Sequence, residues 1–183
     1  MRRDGKPDVL DTFPPWPTMV RVFSPSAIDF TDPRVGYGEL ERRLRALLAD
    51  ERDAIANLAN TAALVFHALP DLNWAGFYRL VGNELVLGPF HGQPACVRIQ
   101  IGQGVCGTAA RQRKTVLVRN VHEFPGHIAC DAASNSEIVV PLLKNGVVLG
   151  VLDLDSPELN RFDAADQAGL ERLATVLVAA TDW

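Results

Sequence analysis

The sequence contains no C-x-x-C pair, no internal repeat, no low-complexity tract and no apolar run approaching the roughly 18 residues of a membrane span. Each absence removes a class. Without paired cysteines, and with His67, His91, His122 and His127 at no finger-like spacing, there is no zinc-site pattern to read. Basic charge is scarce as well: 18 Lys and Arg against 22 Asp and Glu give a net charge of −4, the wrong sign for a dedicated nucleic-acid binder. Cysteine is too rare, at three, and the chain too long, for a small disulfide-stapled secreted domain. The basic start Met1-Arg2-Arg3-Asp4-Gly5-Lys6 is followed by no apolar stretch of signal-peptide type, so the expected setting is cytoplasmic and reducing.

What is present suits one domain. A length of 183 residues is enough for a real core and too short for two, and 48% hydrophobic with 22% charged residues is ordinary for a globular protein. Residues 1–37 read as a proline-rich N-terminal extension, with Pro7, Pro14, Pro15, Pro17, Pro25 and Pro33 recurring at no helical or alternating period. Residues 38–183 carry the periodic patterns. Leu40, Leu44, Leu47 and Leu48 form a helical stripe. Asp50 is placed to cap a second helix with a stripe of Ile55, Leu58, Ala59, Ala62, Phe66 and Leu69, ended by Pro70.

Strands follow: Trp74 to Leu80, a turn at Gly82-Asn83, Glu84 to Leu87, then Ala95 to Ile101. A short helix is predicted from Gly107 to Arg113 and a strand from Thr115 to Val118. A long loop runs from Asn120 to Ser136, and loops of that length are more often functional than incidental. Glu137 to Leu143 and Val147 to Leu154 form a hairpin turned by Asn145-Gly146, and a last helix starts at the cap Asp163. The order predicts an α+β fold: a single domain with a central, mostly antiparallel sheet and the N- and C-terminal helices packed on one face.

The chemistry concentrates between Gln93 and Asp155. Asp153 and Asp155 lie two apart on a predicted strand and so share a face, while Leu152 and Leu154, with Val148 and Gly150, turn to the other. If Glu137 on the neighbouring strand joins them, three carboxylates converge. Such a cluster binds an ammonium group and raises the pKa of at least one member, leaving a protonated acid near neutral pH. Cys106, just before the helix predicted from Gly107, is placed where the positive helix end favours a thiolate. Cys130 lies in the polar loop beside Asp131 and near His127. On spacing alone either cysteine can be the nucleophile.

The residues then become recognisable. Asn73-Trp74-Ala75-Gly76-Phe77-Tyr78, Leu87-Gly88-Pro89-Phe90, Ala95-Cys96-Val97-Arg98-Ile99, Gly102 to Thr108, His127 to Ile138 and Gly150 to Ser156 resemble the free methionine-(R)-sulfoxide reductases, a GAF-domain family. The resemblance runs from about Gly38 to Leu177, and all three cysteines fall where that family has them. It implies reduction of free methionine (R)-S-oxide by Cys130, which attacks the sulfoxide sulfur and is left as a sulfenic acid. Cys96, or alternatively Cys106, then closes a disulfide that thioredoxin reduces, with no bound cofactor or metal. Glu137, Asp153 and Asp155 carry over as the substrate-holding and proton-supplying wall, Trp74 and Tyr78 as pocket aromatics near the S-methyl group. A homodimer is implied too. The rival readings are a GAF module that senses a small molecule and a thiol redox sensor without turnover.

Overall fold

A computed structural model of the chain describes residues 27–128 and 131–183. Most of the proline-rich extension, residues 1–26, lies outside the described residues, and so does Cys130. The elements are α1 (Pro33–Leu47), α2 (Ala54–Ala68), β1 (Trp74–Val81), β2 (Glu84–Gly92), β3 (Arg98–Gln100), α3 (Gly104–Gln112), β4 (Val116–Val118), a 3₁₀ turn (Val121–Glu123), β5 (Ser136–Lys144), β6 (Val147–Ser156) and α4 (Ala164–Ala180). The six strands form one sheet in the order β3-β2-β1-β6-β5-β4, and every neighbouring pair is antiparallel. The fold is α+β as expected.

Two apolar layers sandwich the sheet. On one face Ala75, Phe77, Ile138, Val140, Leu152 and Leu154 meet the inner stripes of α1, α2 and α4. On the other, Trp74, Tyr78, Val139 and Val151 meet Val105, Cys106, Ala109 and Ala110 of α3. Strand alternation assigns each residue its layer.

Several boundaries differ from the sequence reading. Asp32 accepts from Arg34 N and Pro33 takes the first turn, so α1 begins four residues before Tyr37. The cap of α2 is Asp53, which accepts from Ala56 N, and not Asp50. Ile55 is 49% exposed, because the buried face of α2 runs through Asn57, Leu58, Thr61, Ala62, Leu64 and Val65 instead. β2 continues to Gly92, crossing Gly88 and Pro89 at an irregularity opposite Gly76 to Tyr78. β3 keeps only three residues, paired with Glu84 to Val86, and a single backbone bond from Leu87 N to the Val97 carbonyl extends the contact. α3 starts at Gly104, which puts Cys106 inside the helix.

One irregularity matters for the site. The Asn145-Gly146 turn pairs Lys144 with Val147 and Leu143 with Val148, but Leu142 pairs with Gly150. Leu149 is therefore an extra residue, a β-bulge. It packs in the helix-side layer and sends Val148 to the opposite face, against the expectation that Val148 shares a face with Leu152 and Leu154.

The helix layer is tied together at a buried carboxylate. Asp166 Oδ1 accepts from the Tyr37 hydroxyl at 2.7 Å, Asp166 Oδ2 from Arg161 Nη1 at 3.2 Å and from Asp163 N at 2.9 Å. The last bond is half of a capping box that starts α4. Tyr37 thus joins α1 to α4. Its ring lies over Gly169, where an added Cβ would enter the ring. Tyr37→Phe removes one donor from a buried charge and is expected to cost about 1.5–3 kcal/mol, read as a lower urea midpoint at unchanged m-value.

Candidate active site

The register of the three central strands assembles the site. Trp74 of β1 pairs with Asp155 of β6, which pairs with Glu137 of β5; one step along, Gly76 pairs with Asp153 and Asp153 with Val139. Opposed residues in an antiparallel sheet share a face. The three carboxylates and Trp74 are therefore presented together on the α3 side. Gly76 makes room for the aromatic wall, since a Cβ there would run into Phe90 and the Trp74 ring. The Trp74 ring stacks on Phe90 at 5.3 Å and on Tyr78 at 6.0 Å, and its Nε1 donates to the Gln93 carbonyl.

A pocket opens between this sheet face, the start of α3 and the loop before β5. Its walls include Trp74, Tyr78, Cys106, Glu137, Asp153 and Asp155, all six expected from the sequence. His127, Ile128, Asp131 and Ser134 reach it from the loop. Cys96 is half-buried in the segment joining β2 to β3 and is disulfide-bonded, while Cys106 is a free, buried thiol.

Electrostatics inside the pocket follow from crowding. Burial, then the charges of Asp153 and Asp155, push Glu137 well above the ordinary carboxylate range. Burial, then Asp153, does the same to Asp155, with the Ser134 hydroxyl partly offsetting it. Asp153 is pushed up to about 6 by burial, against hydrogen bonds from Cys106 and Glu137 that favour its charge. The three titrate as a unit, holding protons to a higher pH than isolated acids. Burial lowers the pKa of His127, so its Nε2, 3.7 Å from Glu137 Oε2, is a neutral neighbour of an acid and not half of an ion pair.

Cys106 does not behave as its position before a helix suggested. It is the third residue of α3 and 4% exposed, and its Sγ donates to Asp153 Oδ2 at 3.2 Å. Burial, then the charges of Asp153 and Glu137, drive the thiol pKa well up. Nearby carboxylates outweigh the partial positive charge of the helix end, and the thiolate expectation is overturned.

One contributor escaped the sequence reading. Asn73 Nδ2 donates to Asp131 Oδ2 and to Ser134 Oγ, both at 3.0 Å, and its backbone N–H donates to the Asp155 carbonyl. It ties the loop before β5 to the edge of the acidic row. The available signal was a polar residue immediately before an aromatic strand.

A GAF-domain family model matches residues 56–182, and a GAF domain is what the sandwiched antiparallel sheet and its pocket define. The free methionine-R-sulfoxide reductase of Escherichia coli is 51% identical over 150 residues, covering 80% of this chain and 91% of the relative. The Saccharomyces cerevisiae protein of the same name is 47% identical over 131 residues, 67% of this chain and 73% of the relative. Among solved structures, the Neisseria meningitidis free methionine-R-sulfoxide reductase in complex with its substrate superposes with a TM-score of 0.79 at 45% identity, over 85% of this chain and 92% of that one. The chain belongs to the free methionine-R-sulfoxide reductase family of oxidoreductases.

The raised carboxylates fix a sign for stability. An acid whose pKa is higher folded than unfolded holds its proton more tightly in the native state, so its contribution is present at low pH and lost as pH climbs through the folded value. For Asp153 that window runs from 3.8 to about 6, and Glu137 and Asp155 extend the loss to higher pH. Urea-unfolding stability should therefore fall as pH rises across this range. Asp153→Asn, neutral throughout, should flatten the curve and be the more stable protein above it, by on the order of 1–3 kcal/mol.

Proposed function

We propose that this protein reduces free methionine (R)-S-oxide to methionine, with Cys130 as nucleophile and Cys96 as resolving cysteine. The observation that carries the reading is the buried Glu137–Asp153–Asp155 cluster facing Trp74 and Tyr78 in one pocket. A free amino acid brings an ammonium group for the carboxylates and an S-methyl group for the aromatic wall. The first turn of α3 has no side-chain cap, and Gln103, Gly104 and Val105 line the pocket, so its N–H groups can receive the substrate carboxylate. A polypeptide has no ammonium or carboxylate at the modified residue, which excludes oxidised methionine within proteins.

The chemistry needs a thiolate and a proton. Cys130 attacks the sulfoxide sulfur as the oxygen is protonated; the S–O bond then breaks, the hydroxyl passes to the Cys130 sulfur and the new S–S bond is cleaved, leaving methionine and a cysteine sulfenic acid. Glu137 and Asp155 hold protons at a pH where ordinary carboxylates do not, so one of them supplies that proton. The sulfenic acid condenses with the Cys96 thiol, releasing water and forming a disulfide. The dithiol of thioredoxin reduces it by exchange, with no bound cofactor. The disulfide engagement of Cys96, alongside a free Cys106 held to Asp153, supports Cys96 over Cys106 in this role. Ile128 and Asp131, which flank the nucleophile's segment of the loop, line the pocket. Family resemblance further supports a cytoplasmic homodimer. A sensor of cyclic nucleotides is disfavoured, because buried carboxylates repel phosphate.

The test couples free methionine (R)-S-oxide to thioredoxin, its reductase and NADPH. Absence of NADPH oxidation above background, from folded and reduced protein, would sink the proposal. Within it, Cys130→Ser is expected to abolish even a single turnover. Cys96→Ser is expected to release one methionine per site and stall, and Cys106→Ser to complete the first turnover and still form the disulfide. Glu137→Gln keeps the shape of the pocket and loses the proton, and kcat is expected to fall about 100-fold or more.

A further inference from the structure

The pocket sets beside its substrate-binding carboxylates a thiol, Cys106, that the proposed substrate contacts do not use. Cys106 Sγ and one carboxylate oxygen each from Glu137 and Asp153 lie within 4.8 Å of one another, all buried. Among the described residues no other trio of His, Cys, Asp and Glu side chains gathers so closely. A second observation is independent of that clustering: Asp153, 6% exposed and lining the pocket, has an Oδ1 atom with no hydrogen-bond partner. A buried carboxylate oxygen without a partner calls for a ligand. His127 Nε2 is a further donor in the pocket, 3.7 Å from Glu137 Oε2.

Ligand chemistry selects among cations. Magnesium and calcium are hard cations that take oxygen ligands, and a thiol is a poor partner for either. An ammonium ion makes no use of sulfur. Thiolate with carboxylate and imidazole is a donor set for Zn²⁺, whose bonds of about 2.3 Å to sulfur and about 2.0–2.2 Å to oxygen place neighbouring donors roughly 3.3–3.8 Å apart. The observed spread needs only small side-chain adjustments to reach that geometry.

We propose that Cys106, Glu137 and Asp153 form a Zn²⁺-binding site, with His127 or water in the fourth position, and that the bound ion shuts substrate out of the pocket. The ion is an inhibitor and not a cofactor: it occupies the carboxylates that would receive an ammonium group and the acids that would supply a proton. Zinc thereby couples the protein to the availability of free thiophilic metal.

The experiment uses the full-length Cys96→Ser/Cys130→Ser double variant, whose one remaining thiol is Cys106, with Co²⁺ and Zn²⁺ as probes. Cobalt should produce a thiolate-to-metal charge-transfer band at one equivalent per chain, and zinc should bleach it. Adding Cys106→Ser should remove the band. Asp153→Asn should weaken Zn²⁺ binding about 10–100-fold in competition with a coloured chelator. Absence of the band from the folded double variant overturns the site, as does Zn²⁺ affinity unchanged by Asp153→Asn. The band in the double variant reports thiolate ligation by itself, so the test stands even where a third substitution prevents folding. The inhibitory arm rests on the proposed reaction: in the unmodified reduced protein Zn²⁺ should raise KM for methionine sulfoxide, and a chelator should reverse the effect. A band with no reductase activity would leave the metal site standing and remove the reaction. Activity with no band would do the reverse.

Discussion

Burying Glu137, Asp153 and Asp155 side by side sets three like charges against one another in a place where water cannot screen them, and the architecture is arranged to hold that conflict. The opposing force is hydrophobic. Leu152 and Leu154, which alternate with the two aspartates on β6, are fully buried against the helices, as is Ile138 beside Glu137 on β5. Each such side chain contributes about 1.5–3 kcal/mol of burial. A slip of the strand that relieved the carboxylates would expose these leucines. The cluster therefore relaxes by keeping protons rather than by moving apart.

The same tension explains the divided behaviour of the cysteines. Cys106 is held inside the cluster, where its thiol donates to Asp153 and where losing a proton would add a further negative charge. Cys96 sits outside the acidic row, half-buried on the connection between β2 and β3, and engages in a disulfide. Redox chemistry belongs where a thiolate is tolerable. A thiol locked against carboxylates instead acts as a hydrogen-bond donor or, once a dication compensates the charge, as a metal ligand.

How much of this was legible in the sequence depended on its range. The alternation of Leu152-Asp153-Leu154-Asp155 placed both aspartates on one face, and the Asn145-Gly146 turn located the hairpin, because both are local signals. The N-cap Asp163 was legible for the same reason. Misplaced features had non-local causes. The buried face of α2 excludes Ile55, because packing against the sheet and the other helices selects Asn57, Leu58, Thr61, Ala62, Leu64 and Val65. The thiolate expectation for Cys106 failed because the helix end is a neighbour in sequence, whereas Asp153 and Glu137 are neighbours only in space. The metal-ligand trio comes from α3, β5 and β6, so no spacing rule could reveal it. Asn73 was visible as a polar residue before a strand, but its partners Asp131 and Ser134 lie more than fifty positions away.

The bulge at Leu149 has a consequence for how this site was put together. The two-residue turn at Asn145-Gly146 dictates one phase for the hairpin, and in that phase Glu137 would stand opposite Leu154, with Asp155 directed into the helix layer. The additional residue advances β6 by one position against β5, so that Glu137 meets Asp155 and Val139 meets Asp153. Turn and site thus obey different frames of reading along the same strand, and Leu149 is the comma that lets both be true. The composition of the acidic wall rests on a single uncounted residue far from it, one with no part in the chemistry.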